Sequence, residues 1–298
     1  MESYQIKQLE RMTGIKAHTI RIWEKRYGLI TPHRTSTNRR SYDERQVRKL
    51  LNVNTLLALG YKISKLAALT EDELNQVVQN LDINLSTDTA ISGYIDDLLR
   101  SMLDFNEPAF EKIYAAATTR LGLYEAMIHV FYPFLVKVGV LWNVNKAAPI
   151  QEHFASNIIK RKLMAAIDGL VPAAKTTKKF LLFLPPDEWH ETGLLLADYI
   201  IRSHGYETIY LGQSVPLDGI HKVVISVRPS HLLLFYINSK PKEEIAQQLK
   251  SLSEIDLRST VLVAGNTDLF SENKPVLKNV VHLDGVGSLT NLLKEIKK

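Results

Sequence analysis

The sequence predicts a multidomain chain of α and α/β class, helical in its first two parts and alternating strand with helix in its third. Three observations carry this. Basic residues crowd the start: residues 1–70 hold 14 Lys and Arg against 5 Asp and Glu, whereas residues 71–298 hold 23 against 27. Apolar residues then recur at helical spacing from about Leu74 to Asp168. Beyond residue 178 the period shortens to compact β-branched or leucine-rich runs with helical patterns between them. A length of 298 residues leaves room for two or three compact units, and the shifts in pattern place them at 1–72, 73–174 and 175–298.

Composition narrows the class before any motif is read. The chain is 45% hydrophobic and 23% charged, ordinary for a globular protein. No apolar stretch approaches the roughly 20 residues of a membrane-spanning helix, and the first thirty residues lack an apolar signal core with a small-residue cleavage site. A cytoplasmic protein with no membrane partner is expected. Cysteine is absent, which excludes disulfide stapling, a cysteine nucleophile and a thiolate metal sensor.

In the first segment a short helix begins at Ile6, Thr13-Gly14-Ile15 breaks it, and Lys16 to Arg26 carries a second. Ile15, Ile20 and Trp23 share one buried face of this pair, leaving His18, Thr19, Arg21, Lys25 and Arg26 to reach a groove or its phosphates. Tyr27 to Pro32 stops the helix, and the basic stretch from His33 to Tyr42, with Arg34, Arg39 and Arg40, suits a β-wing. Leu50, Val53, Leu56, Leu57 and Leu59 line the next helix, Gly60 ends it, and Ile63, Leu66, Ala67 and Leu69 form a further short one. A basic segment on an otherwise acidic chain is the footprint of a phosphate-binding module joined to something that does not touch nucleic acid.

Arg21-Ile22-Trp23-Glu24-Lys25-Arg26-Tyr27-Gly28-Leu29, with Pro32-x-Arg34 and Arg39-Arg40-x-Tyr42, resembles the MerR family of bacterial regulators over about residues 3–70. The resemblance implies a winged helix-turn-helix on double-stranded operator DNA, with helix 16–26 in the major groove and Arg34, Arg39, Arg40 and Tyr42 of the wing region at the DNA. Symmetric half-sites then require self-association into a dimer or higher oligomer.

Helical spacing over 91–103, 107–121, 124–141 and 149–168 predicts a central four-helix bundle. Asn106-Glu107-Pro108 is a helix start, a capping side chain followed by a proline in the first turn. Trp142 precedes Glu152 and His153 by ten and eleven residues, across a loop opened by Asn143 and closed by Pro149.

Strands are expected at Lys179–Leu184, Thr208–Gly212, Leu232–Ile237, Val261–Gly265 and Val280–Leu283, five runs that suit a flavodoxin-like, doubly wound parallel sheet. Ligands of such sheets bind outside the carboxyl ends of the strands. The loop after the first strand, Pro185 to Gly193, holds His190 with Glu188 two residues before it: an imidazole able to ligate a metal and a carboxylate able to fix its tautomer.

Glu188-x-His190-x-x-Gly193 on this sheet, behind a bundle bearing Trp142, Glu152 and His153, resembles the cobalamin-binding sensors of the CarH/LitR light-responsive repressors. The resemblance implies adenosylcobalamin as cofactor, His190 as its lower axial cobalt ligand, Glu188 as the partner of His190, and Gly193 as a point of close approach. It assigns Trp142, Glu152 and His153 to the upper, adenosyl face. In that family the dark, adenosyl form assembles a DNA-binding tetramer and light disperses it, with no catalytic turnover. Two departures stand out. The family's Ser-x-Leu falls on Phe235-Tyr236-Ile237 and its Gly-Gly on Gly265-Asn266, both lining the nucleotide-tail pocket, where bulkier side chains obstruct the tail. A regulator of the same architecture that answers to a protein or another small molecule is therefore the alternative.

Overall fold

Leu9, Ile15, Ile20 and Trp23, all buried, seed the first core because helices α1 (Ile6–Thr13) and α2 (Ala17–Tyr27) meet across a tight turn. Thr13 fixes that turn: its hydroxyl donates back to the Leu9 carbonyl at 2.7 Å and accepts from the Ile15 N–H at 3.3 Å. Gly28, left-handed at φ 60°, closes α2 by returning its N–H to the Glu24 carbonyl, the conformation glycine adopts at least cost. The computed structural model describes residues 4–13, 15–34, 40–58, 60–79, 89–143, 147–171, 178–237, 241–265 and 277–296.

The wing follows as β1 (His33–Arg34) and β2 (Arg40–Ser41), antiparallel with His33 opposite Ser41 and Arg34 opposite Arg40. Helix α3 (Glu44–Ala58) adds Val47, Leu50, Val53 and Leu56 to the same core, with Leu66 of α4 (Ile63–Leu66) and Leu74 and Val78 of α5 (Glu71–Gln79). Each such side chain, once buried, contributes about 1.5–3 kcal/mol. Thr70 and Glu73 start α5 with a reciprocal capping box: the Thr70 N–H donates to Glu73 and the Glu73 N–H to the Thr70 hydroxyl.

The expected helices of the bundle are present as α6 (Thr89–Leu103), α7 (Glu107–Leu121), α8 (Leu123–Ala126), α9 (Tyr132–Asn143) and α10 (Pro149–Asp168). Asn106 caps α7, accepting the Ala109 N–H at 3.1 Å. The single helix expected over 124–141 is interrupted by a π turn at Met127–Phe131. Pro133 explains it: proline has no N–H to return to the fourth residue before it, and its ring crowds that carbonyl, so the backbone widens by one residue. Tyr132 accordingly donates five residues back, to Met127. The interior is aromatic, with Phe110 edge-on to Phe134 and Phe154 at 5.7 and 6.4 Å and Tyr114 stacked on Phe131 at 4.6 Å.

The chain divides into two compact units, Met1–Ile158 and Ile159–Lys298, so the division falls within α10. The second unit alternates β3 (Lys179–Phe183), α11 (Thr192–Ser203), β4 (Glu207–Gly212), α12 (Leu217–Val227), β5 (His231–Tyr236), α13 (Lys242–Ile255), β6 (Thr260–Gly265), β7 (Val280–Leu283) and α14 (Val286–Ile296). All neighbours pair parallel in the order β4-β3-β5-β6-β7. Counted from β3, that is 2-1-3-4-5, the order of a flavodoxin-like sheet, the class expected from the sequence. Leu181, Phe183, Leu232, Leu234, Tyr236, Val261 and Val263 join Ile220 and Val224 of α12 and Ile245 and Leu249 of α13 in one core. Alternation turns Leu233 and Phe235 to the other face. The order reverses between β3 and β5, which puts the ligand crevice of this architecture at their carboxyl ends.

Candidate functional site

Helix α2 buries Ile20 and Trp23 and exposes His18, Arg21, Lys25 and Arg26, with Thr19 half-buried. Those are the residues that the sequence pattern leaves off the buried stripe of this helix. Arg26 also lies over the Tyr27 ring at 5.4 Å, which holds the guanidinium beside the helix end. Ile22, given no role from sequence, is 51% exposed in the middle of this basic face. The signal for it was available: an aliphatic residue one position off the buried stripe of an otherwise charged helix.

On the wing, Arg34 and Arg40 are exposed, while Arg39 lies outside the described residues. Tyr42 requires a correction. It was expected at the DNA, yet its exposure is 0%. Its hydroxyl donates to Glu24 at 2.5 Å, and its backbone exchanges hydrogen bonds with Tyr4 at 2.8 and 2.9 Å. Glu24, itself nearly buried at 8% side-chain exposure, also meets Arg40 at 3.4 Å. Tyr42 and Arg40 therefore clasp the strand β2 region to α2. Burial, and then the Glu24 carboxylate, push the Tyr42 hydroxyl well above the ordinary tyrosine range and keep it a donor.

In the second unit the loop after β3 is built around Glu188, whose exposure is 0%. One carboxylate oxygen sits 2.6 Å from Nδ1 of His190 and accepts the backbone N–H groups of Trp189 and His190 at 3.1 and 3.2 Å. The other accepts the Ile237 N–H at 2.9 Å, which ties the loop to the end of β5. The loop is further fixed by Ser214, whose N–H donates to the Glu188 carbonyl and whose hydroxyl accepts from Asp187 N–H. A buried carboxylate on Nδ1 sets the tautomer that leaves Nε2 as the ligating atom, and the His190 side chain is 56% exposed. Among the described residues no group of three or more His, Asp or Glu gathers for a metal. A lone oriented imidazole suits a metal that arrives with its equatorial ligands in place.

Gly193, the second residue of α11, faces the ring of half-buried Phe235, and Gly265 ends β6 at φ 122° with Asn266 beyond the described residues. In the first unit, Trp142 is half-buried near the end of α9 and its Nε1 is buried with no acceptor among the described residues. A buried indole N–H is costly unless an acceptor reaches it. Glu152 and His153 are neighbours in the first turns of α10 and pair with each other at 3.0 Å, His153 being exposed. Among the described residues no helix is long and apolar enough to cross a membrane.

Comparison with known proteins bears on the N-terminal segment and on the helical region that carries Trp142, Glu152 and His153. Residues 4–73 match the MerR HTH family regulatory protein model, and residues 94–167 match the B12 binding domain model. The HTH-type transcriptional repressor CarH of Myxococcus xanthus is 26% identical over 288 residues, covering 94% of each chain. The HTH-type transcriptional repressor CarA of the same organism is 26% identical over 267 residues, 88% of this chain and 86% of that one. Among solved structures, the monomethylamine corrinoid protein of Methanosarcina barkeri superposes with a TM-score of 0.51 at 12% identity, over 69% of this chain and 99% of that one, a likeness of fold.

Proposed function

We propose that this chain, a MerR-type transcription regulator with a B12 binding domain that is homologous to the CarH and CarA repressors, is itself a repressor whose self-association and binding to double-stranded operator DNA are controlled by adenosylcobalamin and light. The work is divided over the segments read from sequence, with residues 1–72 for DNA and residues 73–174 and 175–298 each contributing to cofactor binding. The observation that carries the sensor half is the Glu188–His190 pair, a buried carboxylate on Nδ1 of a half-exposed imidazole at the carboxyl end of β3. The buried Nε1 of Trp142, without an acceptor among the described residues, supports a ligand on the helical side as well.

On DNA, His18, Thr19, Arg21, Lys25 and Arg26 face the major groove and Arg34 the backbone, with Tyr42 and Arg40 holding the wing to α2. Ile22, at the centre of the basic face, offers an apolar group to a thymine methyl. His190 would hold the cobalt with Glu188 orienting the imidazole, and Trp142, Glu152 and His153 would contribute to holding the adenosyl group. When bound, adenosylcobalamin would supply a light-sensitive cobalt–carbon bond. Assembly follows by linkage: a ligand shifts an equilibrium only by its differential affinity for the two states. Such a regulator needs no turnover, and a cytoplasmic location follows from its target.

A second reading keeps the architecture and the DNA but drops cobalamin for a protein or another ligand. The contact of Phe235 with Gly193 favours it. An absorption spectrum separates the two. Protein incubated with adenosylcobalamin in darkness and then desalted retains a corrinoid spectrum on the first reading and none on the second.

A further inference from the structure

The axial side of this domain fits a corrinoid, but the side that would receive its nucleotide tail does not. Leu232, Leu234 and Tyr236 lie in the core beneath α12 and α13, so alternation along β5 turns Phe235 toward the face on which α11 packs. There its ring meets Gly193: a Cβ added to Gly193 would stand 3.4 Å from Cε1 and 3.6 Å from Cδ1 of Phe235. Gly193 has no positive φ and needs no glycine for its backbone. What the missing side chain provides is room, and the Phe235 ring uses it.

Gly265 is spent in the same way. It has φ 122°, and a Cβ there would fall 2.0 Å from the Tyr236 carbonyl oxygen, so its bareness serves the close pairing of β6 with β5. Both glycines that resemblance assigns to the ligand thus have partners inside the chain. The end of β5 beyond Phe235 is also tied down. Two residues on, the Ile237 N–H donates to Glu188, the same carboxylate that orients His190. Moving the end of β5 aside to admit a tail would pull on the group that sets the axial imidazole.

We propose that Phe235, seated on Gly193, closes the space between β5 and α11 to the nucleotide tail, so that this chain takes a corrinoid through His190 alone and does not read the tail. The proposal rests on the corrinoid reading above and deepens it: the ligand class is a corrinoid recognised by its ring and upper group, with or without a lower nucleotide.

The test compares adenosylcobalamin with adenosylcobinamide, which lacks the nucleotide, by absorption titration in darkness on the full chain and on Phe235→Ser and Phe235→Leu. The parent is expected to bind adenosylcobinamide at least as tightly as adenosylcobalamin. Phe235→Ser, opening the space, is expected to move the preference about tenfold or more toward adenosylcobalamin, or about 1.4 kcal/mol. Phe235→Leu keeps an apolar group on Gly193 and is expected to show a smaller change of the same sign, which preserves the test if the serine variant misfolds. A parent that binds neither ligand beside a serine variant that binds adenosylcobalamin overturns the proposal, because closure would then exclude the corrinoid ring as well as its tail. A parent that prefers adenosylcobalamin tenfold, with the variants no more selective, overturns it. Binding of neither ligand by any of the three overturns the corrinoid reading and this inference together, and the absence of any bound spectrum distinguishes that result from the previous one.

Discussion

Replacing Tyr42 by Phe removes one hydroxyl and leaves the ring in its core, which makes it a clean probe of the clasp between wing and reading helix. The lost bond runs 2.5 Å to Glu24, a carboxylate only 8% exposed, and Tyr42 itself is 0% exposed. A hydrogen bond to a charged group contributes about 1.5–3 kcal/mol, and here the carboxylate left behind has little access to water. Arg40→Ala removes the other partner of Glu24, but that side chain is 44% exposed at 3.4 Å, and an ion pair of this kind is worth about 1 kcal/mol at most. The two variants should therefore differ, with Tyr42→Phe the costlier. Urea unfolding followed by emission of Trp23, in a background with Trp142 and Trp189 replaced by Phe, reads the core that Tyr42 and Trp23 share. A loss below about 0.5 kcal/mol for Tyr42→Phe, or a larger loss for Arg40→Ala, refutes the clasp.

Further expectations concern the reader, the cofactor ligand and the sheet. Arg26→Ala should weaken binding and flatten its salt dependence if it meets phosphate, or cost about 1–3 kcal/mol at one base pair if it reads a base; gel shifts at several salt concentrations decide. Ile22→Ala should erase any loss that replacing single operator thymines by uracil causes in the parent, and an unchanged pattern removes Ile22 from the groove. His190→Ala should weaken retention of adenosylcobalamin in darkness at least tenfold while leaving the fold intact by circular dichroism; retention equal to the parent removes His190 as ligand. His231 is stacked on Phe180 at 4.5 Å and held neutral, its pKa lowered to about 4 by burial first and then by the Lys178 charge. The unfolded chain, with an ordinary histidine near 6.5, binds the proton first, so stability present above pH 6.5 declines as pH falls toward 4, by at most about 3 kcal/mol. Thermal melts of His231→Phe should lose that slope, and an unchanged slope assigns it elsewhere.

The sheet was legible because a parallel sheet covered on both faces leaves unbroken apolar runs such as Phe180 to Phe183 and Leu232 to Leu234, whose spacing admits little else. The bundle was legible from its period and from Asn106, but the π turn was not, since the apolar pattern runs through Met127–Phe131 without a break and only Pro133 hinted at it. Tyr42 shows the limit at the reader. An aromatic residue beside arginines has the same composition whether it faces DNA or the core, and the Glu24 carboxylate that draws it inward lies 18 residues away in sequence. Glu188 and His190 could be paired from spacing alone because two residues in one loop can meet locally. The seat of Phe235 on Gly193 needed the fold, which brings together positions 42 residues apart on β5 and α11. Arg39 and Asn266 lie outside the described residues, so their parts rest on sequence.

The central claim, that a corrinoid and light govern this regulator's hold on DNA, is tested most directly by a gel shift of the full chain on an operator selected from random double-stranded DNA. Samples are prepared in darkness with and without adenosylcobalamin, and each is then divided and illuminated. The account predicts a retarded complex in the dark sample with adenosylcobalamin, its loss after illumination, and weaker binding without the cofactor in either condition. Equal binding in all four samples would contradict cobalamin control and leave a regulator that answers to something else.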